Sequence, residues 1–398
     1  MSFFDNVPMA PADPILGLTA AFSGDPRKNK VNLGVGLYKG EDLLSPIMTC
    51  VKSAEGDLMR WEKSKEYSPI EGDHQFIGKT AELVFGSHFW GTEFERIAGF
   101  QTVGGTGALR IGAAFIKQEA ENPVYISHPT WPNHRGVFHA AGLKVENYPY
   151  YDVGRHALQF DNMIEFLSTL PFGSVILLHA SCHNPTGVDL NREQWLQVAQ
   201  LCQNKGLIPF FDCAYQGFGR GLNEDVQAIR LFAEKGMEML VAFSLSKNFS
   251  IYGERVGALF IVTSSSELSK KVTSRVKQVI RTLYSNPPIH GARIVAHVLS
   301  EHQLREMWER QLREMCERIN AMRHQLVERL KHKSHSKDFN HLEDCKGMFC
   351  YSGLNSEQVE RIKTEFGVYM TTDGRINVCG LNRENLDYVA ESILAVKT

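Results

Sequence analysis

Residues 174–215, "SVILLHASCHNPTGVDLNREQWLQVAQLCQNKGLIPFFDCAY", decide the fold. The stretch opens and closes on short apolar runs rich in β-branched and aromatic residues, the composition of buried strands. Between them, "NREQWLQVAQLCQNKG" (191–206) reads as a helix closed by glycine. Working outward, "NPVYISHPTW" (122–131), "EMLVAFSLSK" (238–247) and "VGALFIVTS" (256–264) have the same strand character. Strand and helix alternating in this way predict an α/β fold with a mostly parallel sheet covered on both faces. Ligands of such sheets bind beyond the carboxyl ends of the strands. The residues that follow each apolar run are therefore the ones that matter for function.

Bulk properties narrow the classes. The 398 residues are too many for one ordinary core and suggest two domains. With 43 Lys+Arg against 45 Asp+Glu the formal net charge is -2, which supplies no global attraction to nucleic acid or anionic membrane. No apolar run reaches the roughly 20 residues of a membrane span. The eight cysteines form no Cys-x-x-Cys pair, a pattern that suits reduced thiols better than disulfides or a metal site. The N-terminal "MSFFDNVPMAPADPILGL" has neither a secretory nor a transit-peptide pattern, so a cytoplasmic protein is expected.

The pattern changes near residue 300. Leu304, Trp308, Leu312, Met315, Ile319, Met322, Leu326 and Leu330 recur at steps of three and four, which predicts one long amphipathic helix packed on a core. Beyond it, "GMFCYSGL" (347–354) and "GRINVCG" (374–380) read as strands of a C-terminal α+β segment.

Five strand ends carry candidate chemistry. In "TVGGTGALRIGAAF" (102–115) a strand runs through glycines into a helix. Open N–H groups at a helix start bind phosphate, so this is either a phosphate cradle with Gly105 and Thr106 or a plain tight turn. Asp212 closes an intensely apolar strand in "LIPFFDCAYQGFGRG" (207–221), with Tyr215 three residues on. It serves either as a helix cap or as a carboxylate that keeps a pyridine nitrogen protonated. Asn184 in "SCHNPTG" (181–187) either donates into the same edge or serves turn chemistry. In "SHPTWPNHRG" (127–136), Trp131 either covers a planar ligand or fills core, and Asn133 and His134 extend a polar network. Lys247 in "VAFSLSKNFSIYGERVG" (241–257) stands among Ser244, Ser246 and Arg255. A partly desolvated amine beside another cation has its charged form disfavoured, the condition for a nucleophile or proton carrier. Together these residues request a phosphorylated, planar, nitrogen-containing aldehyde, and pyridoxal 5'-phosphate (PLP) answers that description.

The chain resembles the aspartate and aromatic aminotransferases of fold-type I from "APADPILGL" (10–18) to "GRINVCGL" (374–381). "GGTGALR", "WPNH", "HNPTG", "FDCAYQGF", "SLSKNF", "ERVG" and "SNPPIHGARIV" carry the likeness, in the family's order and spacing. It implies a seven-stranded large domain over 46–314, a small α+β domain from 14–45 and 315–398, and an N-terminal arm over 1–13. It implies a homodimer with shared active sites and no bound metal. By the same resemblance Lys247 bonds the cofactor carbonyl, Asp212 meets the ring nitrogen with His134 behind it, and Tyr215 and Asn184 meet the ring oxygen. Gly105, Thr106, Ser244, Ser246 and Arg255 hold phosphate, Tyr67 reaches the phosphate of the other subunit, and Trp131 stacks on the ring. Arg375 takes the substrate α-carboxylate, Arg281 of the neighbouring subunit takes a distal carboxylate, and Gly36 and Phe349 line the cleft from the smaller domain.

These residues imply transamination from aspartate to 2-oxoglutarate, with Lys247 moving the Cα proton. Leu245 stands where some relatives have an aromatic residue, and His128 where others have Asn. Substrate range therefore stays open between aspartate, aromatic amino acids and both. A non-catalytic effector domain on the same fold is the alternative of another class, and it would need an appended DNA-binding segment or a damaged site.

Overall fold

The structure, a computed structural model, describes residues 2–9, 14–119, 121–334 and 339–397. The expected arm over 1–13 lies partly outside the described residues, at 1 and 10–13. Seven strands form one sheet: β1 (Ile97–Val103), β2 (Val124–His128), β3 (Val145–Pro149), β4 (Val175–His179), β5 (Ile208–Cys213), β6 (Met239–Ser244) and β7 (Val256–Val262). Their order is β1-β7-β6-β5-β4-β2-β3. Only β7 runs antiparallel to its neighbours. The expected α/β sheet is therefore present, with every apolar run from the sequence as a strand. β3 was not among those runs. It is an edge strand, and its exposed Glu146 and Asn147 interrupt the apolar signal.

The central strands read as continuous apolar runs because both faces are covered. Every residue of β6 and β7 is buried, and Phe210, Phe243 and Phe260 are fully enclosed. Each such phenyl ring contributes on the order of 1.5–3 kcal/mol by leaving water. One covering helix, α1 (Gly104–Glu119), lies so close that a Cβ on Gly112 would stand 2.5 Å from Phe210 Cζ. Next come α2 (Asn133–Ala140) and α3 (Arg192–Lys205). α3 opens on a reciprocal capping box between Asn191 and Gln194 and ends at Gly206, whose φ of 61° closes the last turn.

Further along are α4 (Gln227–Glu234), α5 (Ser266–Leu283) and the long α6 (His302–Ser334). The predicted stripe of α6 is buried from Trp308 through Leu330, with Leu304 half-buried. Trp308 stacks on Phe249 at 4.7 Å and donates its indole N–H to the Asn248 carbonyl at 2.8 Å. Among the described residues no helix is long and apolar enough to cross a membrane.

The chain divides into two compact units. The larger comprises Ser45–Ala321 and Asp344–Cys350; the smaller comprises Met1–Leu44, Met322–Glu343 and Tyr351–Thr398. Within the smaller unit, strands Val31–Asn32 and Val368–Tyr369 pair in parallel. Asn377 ties the 33–37 stretch there by donating its amide to the carbonyls of Val35 and Leu37 at 2.6 and 2.8 Å. Phe349, expected from the smaller domain, belongs instead to the larger unit. The reason is local: the Lys346 N–H donates to the Gly187 carbonyl at 2.6 Å, which holds the 344–350 segment on the loop after β4.

Candidate active site

Register brings the strand ends together. Val103 of β1 pairs with Val256 of β7, and Ser244 of β6 pairs with Gly257. Gly104, Ser244 and Arg255 are thereby gathered at the carboxyl edge of the sheet. A Cβ on Gly104, whose φ is 66°, would stand 2.5 Å from Arg255 Nη2, and one on Gly105 would stand 2.9 Å from Ser244 Cβ. Side chains at those positions would fill the cradle. Arg255 donates to Ser246 Oγ and to the Tyr252 carbonyl, both at 3.1 Å. With the open N–H groups of the first turn of α1 and the Thr106 hydroxyl, this end has the donors and the positive charge that a phosphate needs.

His179 of β4 and Asp212 of β5 are register partners. The buried Asp212 carboxylate lies 2.9 Å from His134 Nε2. Burial pushes the Asp212 pKa up, but the His134 hydrogen bond, with the nearby Lys247 charge, outweighs it and holds the carboxyl below its ordinary value. An acid kept ionised at such an edge suits a cationic N–H partner such as a pyridinium.

Behind His134 lies a buried imidazole chain that the sequence reading did not single out. Thr130 Oγ1 bridges His134 Nδ1 at 2.8 Å and His179 Nε2 at 3.1 Å. The His179 and His183 rings are 4.1 Å apart, and His183 bonds Ser127 Oγ and Thr186 Oγ1 at 2.9 Å each. Burial first, then the neighbouring His134, lowers the His179 pKa to about 3. Burial and the other two histidines push His183 well down as well. Both rings are neutral at neutral pH, so they orient His134 without adding charge. The signal for them was the recurrence of His in "SHPTWPNH" and "HASCH", at the carboxyl ends of β2 and β4.

On the other side of the edge, Lys247 is half-buried, with Nζ 4.7 Å from the Tyr215 ring centre. Burial lowers its pKa most, Asp212 opposes that, and Arg255 lowers it further; the net direction is down. Tyr215 and Asn184 are buried together, the Asn184 Nδ2–H reaching Tyr215 Oη at 3.4 Å. Phe349 closes on the Tyr215 ring edge to face at 6.0 Å. Trp131 is half-buried and meets His134 at 5.2 Å with perpendicular rings. Lys247, Asp212, Tyr215, Asn184, His134, Trp131, Ser244, Ser246, Arg255, Gly105 and Thr106 thus all belong to one unit, on or just beyond one sheet edge. These residues fit a phosphorylated pyridine aldehyde at both its charged ends.

Two predicted residues stand elsewhere on the larger unit. Tyr67 is 92% exposed, and with Arg281 it lines an open depression of ≈ 810 Å³ whose other walls include Ser68, Tyr284 and Pro287. Arg281 is exposed and donates to Ser285 Oγ. Arg375 and Gly36 belong to the smaller unit. Arg375 is buried and donates to the Gly34 carbonyl at 2.8 Å, while Gly36 stands between the two carbonyls anchored by Asn377.

The family model described as "Aminotransferase class I and II" matches residues 28–393. A protein of Pseudomonas aeruginosa named aspartate aminotransferase is 48% identical over 397 residues, covering all of both chains. A crystal structure of an aromatic-amino-acid aminotransferase from Burkholderia pseudomallei, covalently bound to pyridoxal phosphate, superposes with a TM-score of 0.97 at 47% identity over all of both chains. A psychrophilic aromatic amino acids aminotransferase from Psychrobacter sp. B6, cocrystallised with aspartic acid, has a TM-score of 0.97 at 40% identity over all of both chains.

Proposed function

The chain belongs to the class I and II aminotransferase family, and from that premise we propose that it moves the amino group of aspartate to 2-oxoglutarate, releasing oxaloacetate and glutamate by a ping-pong mechanism with PLP. The observation that carries this reading is the placement of Lys247, its pKa lowered, beside the Tyr215 ring and between the charges of Asp212 and Arg255.

Bound PLP supplies a carbonyl that bonds amines and a ring that draws electrons from the carbon next to the nitrogen. The protein's residues do the rest. Arg255, Ser244, Ser246, Gly105 and Thr106 hold phosphate. Asp212, kept ionised by His134, pairs with the ring N–H, and Asn184 and Tyr215 donate to the ring oxygen. Trp131 covers the ring. Lys247 would hold the carbonyl at rest and, once freed, its Nζ would take the Cα proton of the substrate and return it to the former carbonyl carbon, on the far side of the nitrogen.

Substrate choice rests on two arginines. A guanidinium grips a carboxylate through two parallel hydrogen bonds. Arg375 holds the α-carboxylate, with Gly36 and Phe349 beside the substrate. Arg281 holds the distal carboxylate and Tyr67 reaches the phosphate, both from the partner of a homodimer. Their shared position in one open depression of the larger unit supports donation to a second copy. Eight free cysteines support a reducing, cytoplasmic setting.

A second reading, aromatic or dual specificity, is favoured by the solved structures of aromatic aminotransferases on this fold. The direct test incubates the protein with PLP, L-aspartate and 2-oxoglutarate. Oxaloacetate and glutamate should form in equal amounts, and no oxaloacetate would sink the aspartate reading.

A further inference from the structure

Asn184 and Tyr215 sit on loops rather than in the strands, so something must fix where those loops stand. The loop after β4 is held by Asp189, whose two carboxylate oxygens accept the backbone N–H groups of Cys182 at 2.8 Å and His183 at 2.9 Å. Those are the two residues before Asn184. The loop after β5 is held by Asp225. One oxygen accepts the N–H groups of Gly217 at 2.8 Å and Gly219 at 2.9 Å, and the other accepts that of Arg220 at 2.8 Å. Gly217 lies two residues beyond Tyr215.

The two clamped loops approach each other at Gly219. A Cβ on Gly219 would stand 2.5 Å from Asp225 Oδ1 and 3.1 Å from Cys182 Sγ. Gly219 therefore lies between the carboxylate of one loop and the side chain of the other. Both acids are desolvated, and each spends its oxygens on backbone donors of a loop. Burial raises Asp189, and burial together with the nearby Asp189 charge raises Asp225 to about 6 against the pull of its three N–H donors. The hydrogen bonds of both acids run to backbone N–H groups and not to Lys247 or Asp212; one of those N–H groups is that of His183, in the imidazole chain behind His134.

We propose that Asp189 and Asp225 are positioning residues for transamination: a half-buried and a buried carboxylate that set the distance between Asn184 and Tyr215, and so the donors that meet the cofactor's ring oxygen. This rests on the reading of Asn184 and Tyr215 as those donors. Removing an acceptor oxygen frees one to two loop N–H groups and lets the Asn184–Tyr215 pair drift. Displacements near 1 Å in such a pair cost up to about a hundredfold in rate.

The test uses the PLP-loaded protein and three measurements on each variant: the pH midpoint of the bound cofactor's absorbance change, kcat against KM for aspartate, and the thermal midpoint. Asp189→Asn and Asp225→Asn keep size and lose one carboxylate oxygen. Val145→Ala, on the edge strand far in the sheet order from β6, serves as a stability control. Asn184→Ala calibrates the absorbance response. Both aspartate variants should move the absorbance midpoint by about half a pH unit or more, in the direction of Asn184→Ala. They should also lower kcat by about ten- to a hundredfold with KM changed far less.

An unmoved midpoint in the aspartate variants, with a thermal loss like that of Val145→Ala, overturns the proposal and leaves the acids a purely structural role. An unmoved midpoint in Asn184→Ala itself instead overturns the ring-oxygen reading. If the asparagine variants do not fold, Gly219→Ala decides, because its methyl displaces the Asp225 carboxylate without removing it. A shifted midpoint there supports the proposal, and an unshifted one overturns it.

Discussion

The Nζ of Lys247 lies 4.7 Å from the centre of the Tyr215 ring, at the end of β6 and across the sheet edge from Asp212. An amine there has one anion to attract its proton and a cation, Arg255, to repel it. Burial tips the balance toward the neutral form. Replacing Lys247 with Ala should leave a folded protein that still takes up PLP but turns over at least about 10²- to 10⁴-fold more slowly, the range for losing a general base. Multiple turnovers near the native rate would contradict the role of Lys247.

Asp212 is held ionised by His134, so its loss should act through charge and not through packing. Asp212→Ala should keep the fold and lose most activity, whereas Asp212→Glu should retain more. Near-normal rates in the alanine variant would remove Asp212 from the chemistry.

Removing a distal-carboxylate clamp should matter only to substrates that have a distal carboxylate. Truncating one partner of a desolvated charged pair costs about 2–5 kcal/mol, or about thirtyfold to several thousandfold in kcat/KM. Arg281→Ala should show that loss for aspartate and much less for phenylalanine. Equal losses would mean that Arg281 does not grip the side-chain carboxylate.

Donation across a dimer has its own signature. Lys247→Ala and Arg281→Ala, each nearly inactive toward aspartate alone, should regain activity when refolded together. A random mixture places half of the chains in mixed dimers, each with one intact site, so recovery should approach about a quarter of the native rate. No recovery would place Arg281 in the same subunit's site.

Stability should depend on pH through the neutral imidazoles. The folded His179 pKa of about 3 lies below the ordinary 6.5, so the unfolded chain binds a proton that the folded chain refuses. Stability is full above about 6.5 and falls as pH drops from there toward 3. One such group gives a slope approaching about 1.4 kcal/mol per pH unit inside that window. Urea unfolding of the cofactor-free protein at pH 7.5 and 5.5 should show the loss, and His179→Gln should flatten it. An unchanged slope in the variant would mean that the ring protonates without cost.

Much of this architecture was legible because parallel strands buried on both faces announce themselves as apolar runs, and chemistry collects where those runs stop. Asp212, Ser244 and Lys247 were found that way. β3 was not, because an edge strand needs no continuous apolar face. His179 and His183 were not singled out, since the Thr130 bridge that joins His179 to His134 comes from the loop after another strand, β2. Asp189 and Asp225 left no trace because a side chain that holds backbone N–H groups has no partner with a recognisable side chain. Phe349 was placed in the wrong unit because a seven-residue return of the chain, tied by Lys346 to Gly187, has no periodicity to read.

The most direct measurement is a single-turnover absorbance trace of the purified, PLP-loaded protein after L-aspartate and, separately, L-tyrosine. Fast loss of the resting cofactor band with aspartate and slow loss with tyrosine is the predicted result. Equal or reversed rates would contradict the aspartate preference and assign an aromatic or dual-specificity enzyme, and no change with either donor would contradict transamination itself.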